Sequence, residues 1–178
     1  MDIFLREIQQ SDVPTINKWR NDVNIMDCLG APFRYINIET DEKWFESYMS
    51  TRNNNIRLAI CDVENAKLLG VVYLLQIDWI NRSAEYAIQI GETLSQGGGV
   101  GYKSTINILK HAFYDINLHK IVLYVVENNQ RAIRLYEKIG FVQEGRLRQS
   151  VFKNGRYFDV IVMSILNSEY IAKYKDII

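Results

Sequence analysis

The stretch Ser95-Gln96-Gly97-Gly98-Gly99-Val100-Gly101-Tyr102 constrains this chain more than any other. It sets four glycines in five positions between an alternating apolar strand, Glu85 to Ile90, and an amphipathic run. Without Cβ atoms a backbone turns tightly and brings several N–H groups toward one anion. A helix that follows adds its unpaired N–H groups and partial positive charge. Together these make a cradle for a pyrophosphate. The spacing is not that of other phosphate loops. A P-loop needs Lys then Ser or Thr directly after its last glycine, where Tyr102 and Lys103 stand here, and the GxGxxG dinucleotide register is not met.

The chain has 178 residues, 48% hydrophobic and 12% aromatic, which predicts one globular domain spanning 1–178 with a sizeable core. Lys+Arg and Asp+Glu balance at 21 each, so no global field favours nucleic acid or an acidic membrane surface. Cys28 and Cys61 stand apart, without metal-like spacing, and read as reduced thiols; no metal site is expected. The start lacks a basic segment followed by an apolar run, and no segment reaches the ~18 apolar residues of a membrane span. A cytoplasmic protein is expected.

The apolar periods predict the elements in order. Ile3 to Glu7 reads as a strand, and Ser11 as the cap of a helix carrying Val13, Ile16 and Trp19, with Pro14 in its first turn. A second helix is expected after Thr40 as cap, with Asp41 and Glu42 at its positive end and Trp44, Phe45, Tyr48 and Met49 as its apolar face. Ile56 to Cys61 and Leu68 to Ile77 form a hairpin around Asp62 to Lys67. After the glycines, Tyr102, Ile106, Leu109, Phe113 and Ile116 trace one helical stripe. Ile121 to Val126 is apolar on both faces, hence a central strand. A helix from Gln130 to Ile139 ends at Gly140, a left-handed cap, and Asn154-Gly155 joins Arg148–Lys153 to Tyr157–Ile165 as a hairpin. The order β-α-α-β-β-β-α-β-α-β-β describes a mixed α/β sheet flanked by helices.

Two motifs identify a family. Gln96-x-x-Gly99-x-Gly101 matches the acyl-CoA loop Q/R-x-x-G-x-G/A of the GNAT family of N-acetyltransferases. Asn129 to Phe141 closely resembles the family signature N-x-x-A-x-x-L-Y-x-K-x-G-F, 33 residues after Gln96, with one helix and one strand between. Asp12 and Trp19-Arg20-Asn21-Asp22 near the start resemble the RimJ/RimL-like branch. The tail Glu144-Gly145-Arg146 to Asn154-Gly155-Arg156-Tyr157 is similar to that branch and to bacterial spermidine acetyltransferases. The resemblance implies a mostly antiparallel sheet whose fourth and fifth strands splay apart, with acetyl-CoA as acyl donor in the gap. It implies that Gln89, Ile90 and Gly91 offer a strand edge to the pantetheine arm. Gln96, Gly97, Gly98, Gly99, Val100, Gly101 and Tyr102 are then the pyrophosphate loop, and Asn129 bonds the pantetheine; read without the motif Asn129 is a helix N-cap, a role compatible with the first.

Tyr136 occupies the position of the family's general acid for the CoA thiolate; a phenol near pKa ~10 is protonated at neutral pH. Read without the motif it is a core tyrosine. Glu85, on the strand face shared with Ala87 and Gln89, matches a glutamate that in some relatives takes the amine's proton; its alternative is a paired structural carboxylate. Tyr124 stands where RimI-type enzymes carry an acid, so that mechanism does not transfer directly. His111 and His119 read as surface or capping residues. Trp44, Phe45, Tyr48 and Trp79 could line an acceptor pocket or fill the core. The implied activity is direct acetyl transfer to a primary amine in a ternary complex, since neither cysteine lies in a motif. A polyamine or amino sugar is the expected acceptor, with Asp22, Asp27 and Glu42 available to a second positive charge. A protein N-terminus, or a non-catalytic CoA-binding module, is the alternative, and a homodimer is left open.

Overall fold

The computed structural model describes residues 1–91 and 98–175, so Gln96 and Gly97 of the expected loop lie outside the described residues. The strands are β1 (Ile3–Glu7), β2 (Ile56–Asp62), β3 (Leu68–Asp78), β4 (Ser83–Ile90), β5 (Lys120–Val126), β6 (Val142–Lys153) and β7 (Arg156–Leu166). The helices are α1 (Val13–Arg20), α2 (Val23–Asp27), α3 (Ile38–Thr51), α4 (Val100–Lys110), α5 (Gln130–Ile139) and α6 (Asn167–Tyr174). Among the described residues the strands form one sheet in the order β1-β2-β3-β4-β5-β7-β6. Every neighbouring pair is antiparallel except β4 and β5.

Residues directly opposite in a ladder share a face, so the register assigns each side chain to a side. Arg57, Tyr73 and Ala87 line up across β2, β3 and β4, as do Ala59, Val71 and Gln89. On this face α1 and α3 bury Val13, Ile16, Trp19, Phe45 and Tyr48 against Ala59, Cys61 and Val71. On the opposite face Ile60, Val72, Leu74 and Tyr86 pack with Ile108, Leu109, Phe113, Tyr136 and Ile139 in the larger core. The small polar residues Ser104 and Thr105 face the sheet in α4. They are satisfied by the Val100 carbonyl at 2.8 Å and the Gly101 carbonyl at 2.6 Å, and the Tyr86 hydroxyl lies 2.7 Å from Thr105. A bulkier stripe would hold the helix further off.

Several local expectations are corrected. Ser11 lies inside a short 3₁₀ turn, Gln10–Asp12, and α1 follows without a side-chain cap. The preceding carboxylate is used instead: Asp12 takes the Gln9 amide at 2.8 Å and the Arg6 guanidinium at 2.7 Å. Thr40 does not cap α3; Asn37 does, its Oδ1 accepting from the Thr40 amide at 3.1 Å. Met49 is 43% exposed, whereas Asp41 is sealed, bonded by Arg20 and by Asn17 Nδ2 at 2.7 Å. The α4 stripe centres on Thr105, Ile108, Leu109 and Ala112, leaving Tyr102, Ile106 and Ile116 at its margin. The α4 axis continues through a π-helical turn, His111–Asp115. β5 is central as expected but not buried on both faces, since Tyr124 is 51% exposed. β6 begins six residues before the expected Arg148, and α2 and α6 were not foreseen. Gly140 does close α5 in the left-handed region at φ +118, and Asn154 and Gly155 carry the paired positive φ values, 50 and 77, of a tight hairpin.

Candidate active site

The site begins where the parallel pair fails. β3 accompanies β4 through Ile90, but β5 pairs with β4 only at Ser83, Ala84 and Glu85. Beyond Glu85 the two strands diverge, and the β4 edge from Tyr86 to Ile90 has no ladder on that side. A free edge presents alternating N–H and C=O groups that can bind an extended chain as an added strand. Gln89 adds a second unmet demand, since its Nε2 is buried without a hydrogen-bond partner among the described residues. Such an orphan costs roughly 1–3 kcal/mol, which an acceptor group of a ligand would recover.

Gly91 closes the strand under α1. A Cβ there would fall 1.9 Å from Trp19 Cε2, so the indole lies directly on the glycine. Gly91→Ala is therefore expected to push Trp19 off its seat and cost about 1–3 kcal/mol, as overpacking does. That corresponds to a fall in Tm of roughly 2–10 °C for a chain of this size. A thermal melt matching wild type would show that the indole can move aside freely.

At the same end of the sheet α4 starts from Gly99, whose φ of +78 puts it in the left-handed region. Among the described residues no side chain caps this terminus, and a Cβ added at Gly99 would meet no atom within 4 Å. The first-turn N–H groups of a helix lack intrahelical partners, so here they face outward beside the positive end of the dipole. Lys103 does not fill the position, because its Nζ bonds the Met1 carbonyl at 2.8 Å and Asp2 at 2.7 Å. Gly101 faces α5: a Cβ added there would stand 3.3 Å from Leu135 Cδ2. The glycine loop and the Asn129–Phe141 segment, separate in sequence, thus pack together.

Asn129 caps α5, its Oδ1 accepting from the Ala132 amide at 3.1 Å, while its Nδ2 donates to the Cys28 carbonyl at 2.9 Å. Tyr136, two turns on, is buried to 7% exposure. Its ring meets Tyr86 edge-on at 6.0 Å and Phe141 at 5.7 Å. Its hydroxyl has no hydrogen-bond partner among the described residues and is not one of the sealed polar atoms. Burial pushes this phenol up to about 12, so it stays protonated throughout the neutral range. Glu85 sits at the fork on the opposite face, half-buried, and burial raises its carboxyl above the ordinary value. The structure gives Glu85 no ion-pair partner among the described residues.

Other candidates resolve differently. Trp44 and Tyr48 do not line an open pocket; with Tyr73 they enclose the chain's own Arg57 guanidinium at 5.2, 5.4 and 4.9 Å. Phe45 is core, and Trp79 is exposed on the β3–β4 turn, donating to Asn54 at 3.1 Å. Asp22 caps α2 and Asp27 accepts from Asn154 Nδ2 at 2.8 Å, so both are engaged locally. His111 pairs with Asp115 at 2.7 Å and His119 is exposed. The sequence did not reveal Trp19 over Gly91 or the Arg57 enclosure, because both join elements distant along the chain.

A splayed parallel pair, a left-handed glycine opening a helix at its end, and a buried tyrosine beside the gap form one arrangement. Residues 2–142 match the family model described as acetyltransferase (GNAT) domain. The chain belongs to the GNAT acetyltransferase family. It is 36% identical over 172 residues, 96% of each chain, to a spermidine N(1)-acetyltransferase of Vibrio cholerae. It is 29% identical over 174 residues to the Escherichia coli enzyme of the same name, covering 97% of this chain and 90% of that one. The crystal structure of the V. cholerae spermidine N-acetyltransferase with CoA and spermine superposes with a TM-score of 0.89 at 36% identity, covering 95% of this chain and 98% of that one. This acetyltransferase is accordingly an acetyl-CoA-dependent N-acetyltransferase with the family's sheet. The expected fold class, with strands four and five apart, holds.

Proposed function

We propose that this acetyltransferase transfers acetyl to a primary amine of a polyamine, with the whole chain acting as one catalytic unit. The observation that carries the reading is the unpaired β4 edge between the Gly99 helix terminus and Tyr136. It is supported by near full-length similarity to enzymes named for spermidine, one of them solved with CoA and spermine. Along the β4 edge at Gln89, Ile90 and Gly91, the backbone groups not already used by β3 hold the extended arm, the Gly91 N–H being given to the Leu69 carbonyl at 3.0 Å, and the Gln89 amide finds its missing acceptor. The N–H groups of Gly98, Gly99, Val100, Gly101 and Tyr102 face the pyrophosphate, and Asn129 presents its remaining N–H to the pantetheine. Acetyl-CoA supplies the thioester acyl group. Glu85 draws the proton from the incoming ammonium, directly or through water. Tyr136 directs its O–H at the departing sulfur. A phenol near 12 is the weaker acid of the pair against a thiol near ~8.5, so its first contribution is a hydrogen bond to the developing thiolate.

Initial rates of thiol release test the acceptor with spermidine, amino sugars and peptides bearing free N-termini at matched concentrations. Spermidine is expected to be turned over with the highest kcat/KM. Turnover of N-terminal peptides with none of spermidine would reject the polyamine and favour the RimJ/RimL-like alternative. CoA binding without turnover of any amine would favour a non-catalytic module. The oligomeric state, a homodimer or otherwise, is measured by light scattering.

Glu85→Gln separates base from bystander. A carboxyl whose folded pKa is raised loses stability as pH climbs through the window between its unfolded and folded values. At pH 7 the ionised group is therefore a cost, and the neutral isostere should fold at least as well. Its kcat/KM should fall at neutral pH and rise steeply toward the amine's own pKa of ~10, where solvent has already removed the proton. Parallel pH profiles for mutant and wild type would make Glu85 structural.

A further inference from the structure

The structure assigns Lys153 as a positioning residue for acyl-donor binding, acting through the Met26–Leu29 backbone on Asn129. This inference rests on Asn129 being the pantetheine donor. Lys153 ends β6 beside the Asn154-Gly155 turn and is only 8% exposed. Its Nζ donates to the Met26 carbonyl at 2.6 Å, the Asp27 carbonyl at 3.2 Å and the Leu29 carbonyl. The one carbonyl skipped in this run, Cys28, points the other way and accepts from Asn129 Nδ2 at 2.9 Å. Three of four successive carbonyls at the end of α2 are thus fixed on one ammonium, and the fourth is fixed on the signature asparagine.

The consequence for Asn129 is geometric. Its Oδ1 is held by the Ala132 amide and one Nδ2 hydrogen by Cys28, so the amide cannot flip and its second hydrogen has a set direction. That direction depends on the Cys28 peptide, and the peptide's orientation depends on Lys153. A buried ammonium held by carbonyls is a costly fastener, since burial opposes its charge more than the nearby Asp27 carboxylate favours it. A hairpin already joined to α2 by Asn154 and Asp27 at 2.8 Å has less need of it for attachment alone.

The test is a double-mutant cycle on CoA affinity, read by calorimetry on the full chain. Asn129→Ser keeps a helix cap while deleting the amide donor. Lys153→Met keeps length and apolar contact while deleting the three donors. Each single variant is expected to weaken CoA binding by about five- to twentyfold, and the double variant by no more than the worse single one. Multiplying effects would overturn the inference, because a hairpin that merely stabilises the fold acts independently of Asn129. Native affinity in Lys153→Met would overturn it as well. Native affinity in Asn129→Ser would instead overturn the pantetheine role of Asn129, and this inference with it. Should Lys153→Met fail to fold, Lys153→Gln, which retains an amide donor, is expected to show a smaller loss that again vanishes in the Asn129→Ser background.

Discussion

Tyr136→Phe is expected to lower kcat by ~10²-fold or more while leaving CoA affinity within about twofold of wild type. The substitution removes one oxygen and one proton from a ring held by Tyr86 and Phe141, and those ring contacts survive it. No described residue loses a hydrogen bond, because the hydroxyl has none among the described residues. Stability should therefore be unchanged, and the loss should fall on the step in which charge develops on sulfur. With the phenol pushed up to about 12, wild-type kcat should show no descending limb from Tyr136 below pH ~11. A single-turnover measurement of acetyl transfer checks both points. An undiminished chemical step in the variant would return Tyr136 to a purely core role.

Gly99→Asp is expected to abolish CoA binding, with Kd raised by at least ~10²-fold, in a protein that stays folded. The site is open, so the new side chain meets no atom of the described chain within 4 Å. The cost to folding is confined to a left-handed φ of +78, which aspartate tolerates better than most residues. The cost to binding is larger, because a carboxylate would stand at the helix N-terminus proposed to receive the pyrophosphate. It would cap the first-turn amides itself and repel a second anion. Calorimetry on a variant with native circular dichroism is the check. Native-like affinity there would place the pyrophosphate elsewhere.

The legible parts of the site were those written in contiguous residues. The glycine loop opening α4, the Asn129 cap, the Gly140 termination and the Asn154-Gly155 turn each depend on backbone conformations that one or two residues permit. Alternation in Ala84–Ile90 placed Glu85, Ala87 and Gln89 on one face before any neighbour was known, and the ladders agree. The misjudged caps are a failure of the same local reasoning. Asp12, one residue beyond Ser11, takes the Gln9 amide, and Asn37, three residues before Thr40, takes the Thr40 amide.

The sequence by itself determined the order of the strands and of the longer helices, the glycine turn and the identity of the tyrosine and asparagine that follow it, because each is a short-range steric or hydrogen-bonding choice. Tertiary structure alone decided what those residues face. The aromatics of α3 close on Arg57, Gly91 must be bare because Trp19 lies on it, and the Cys28 carbonyl reaches Asn129 across 101 positions of chain. The gap itself is a tertiary fact: β4 and β5 part after Glu85 because β3 carries one strand onward and β7 the other. Periodicity records which face of a strand is apolar, but the partner on its edge is chosen by the twist and packing of the whole sheet.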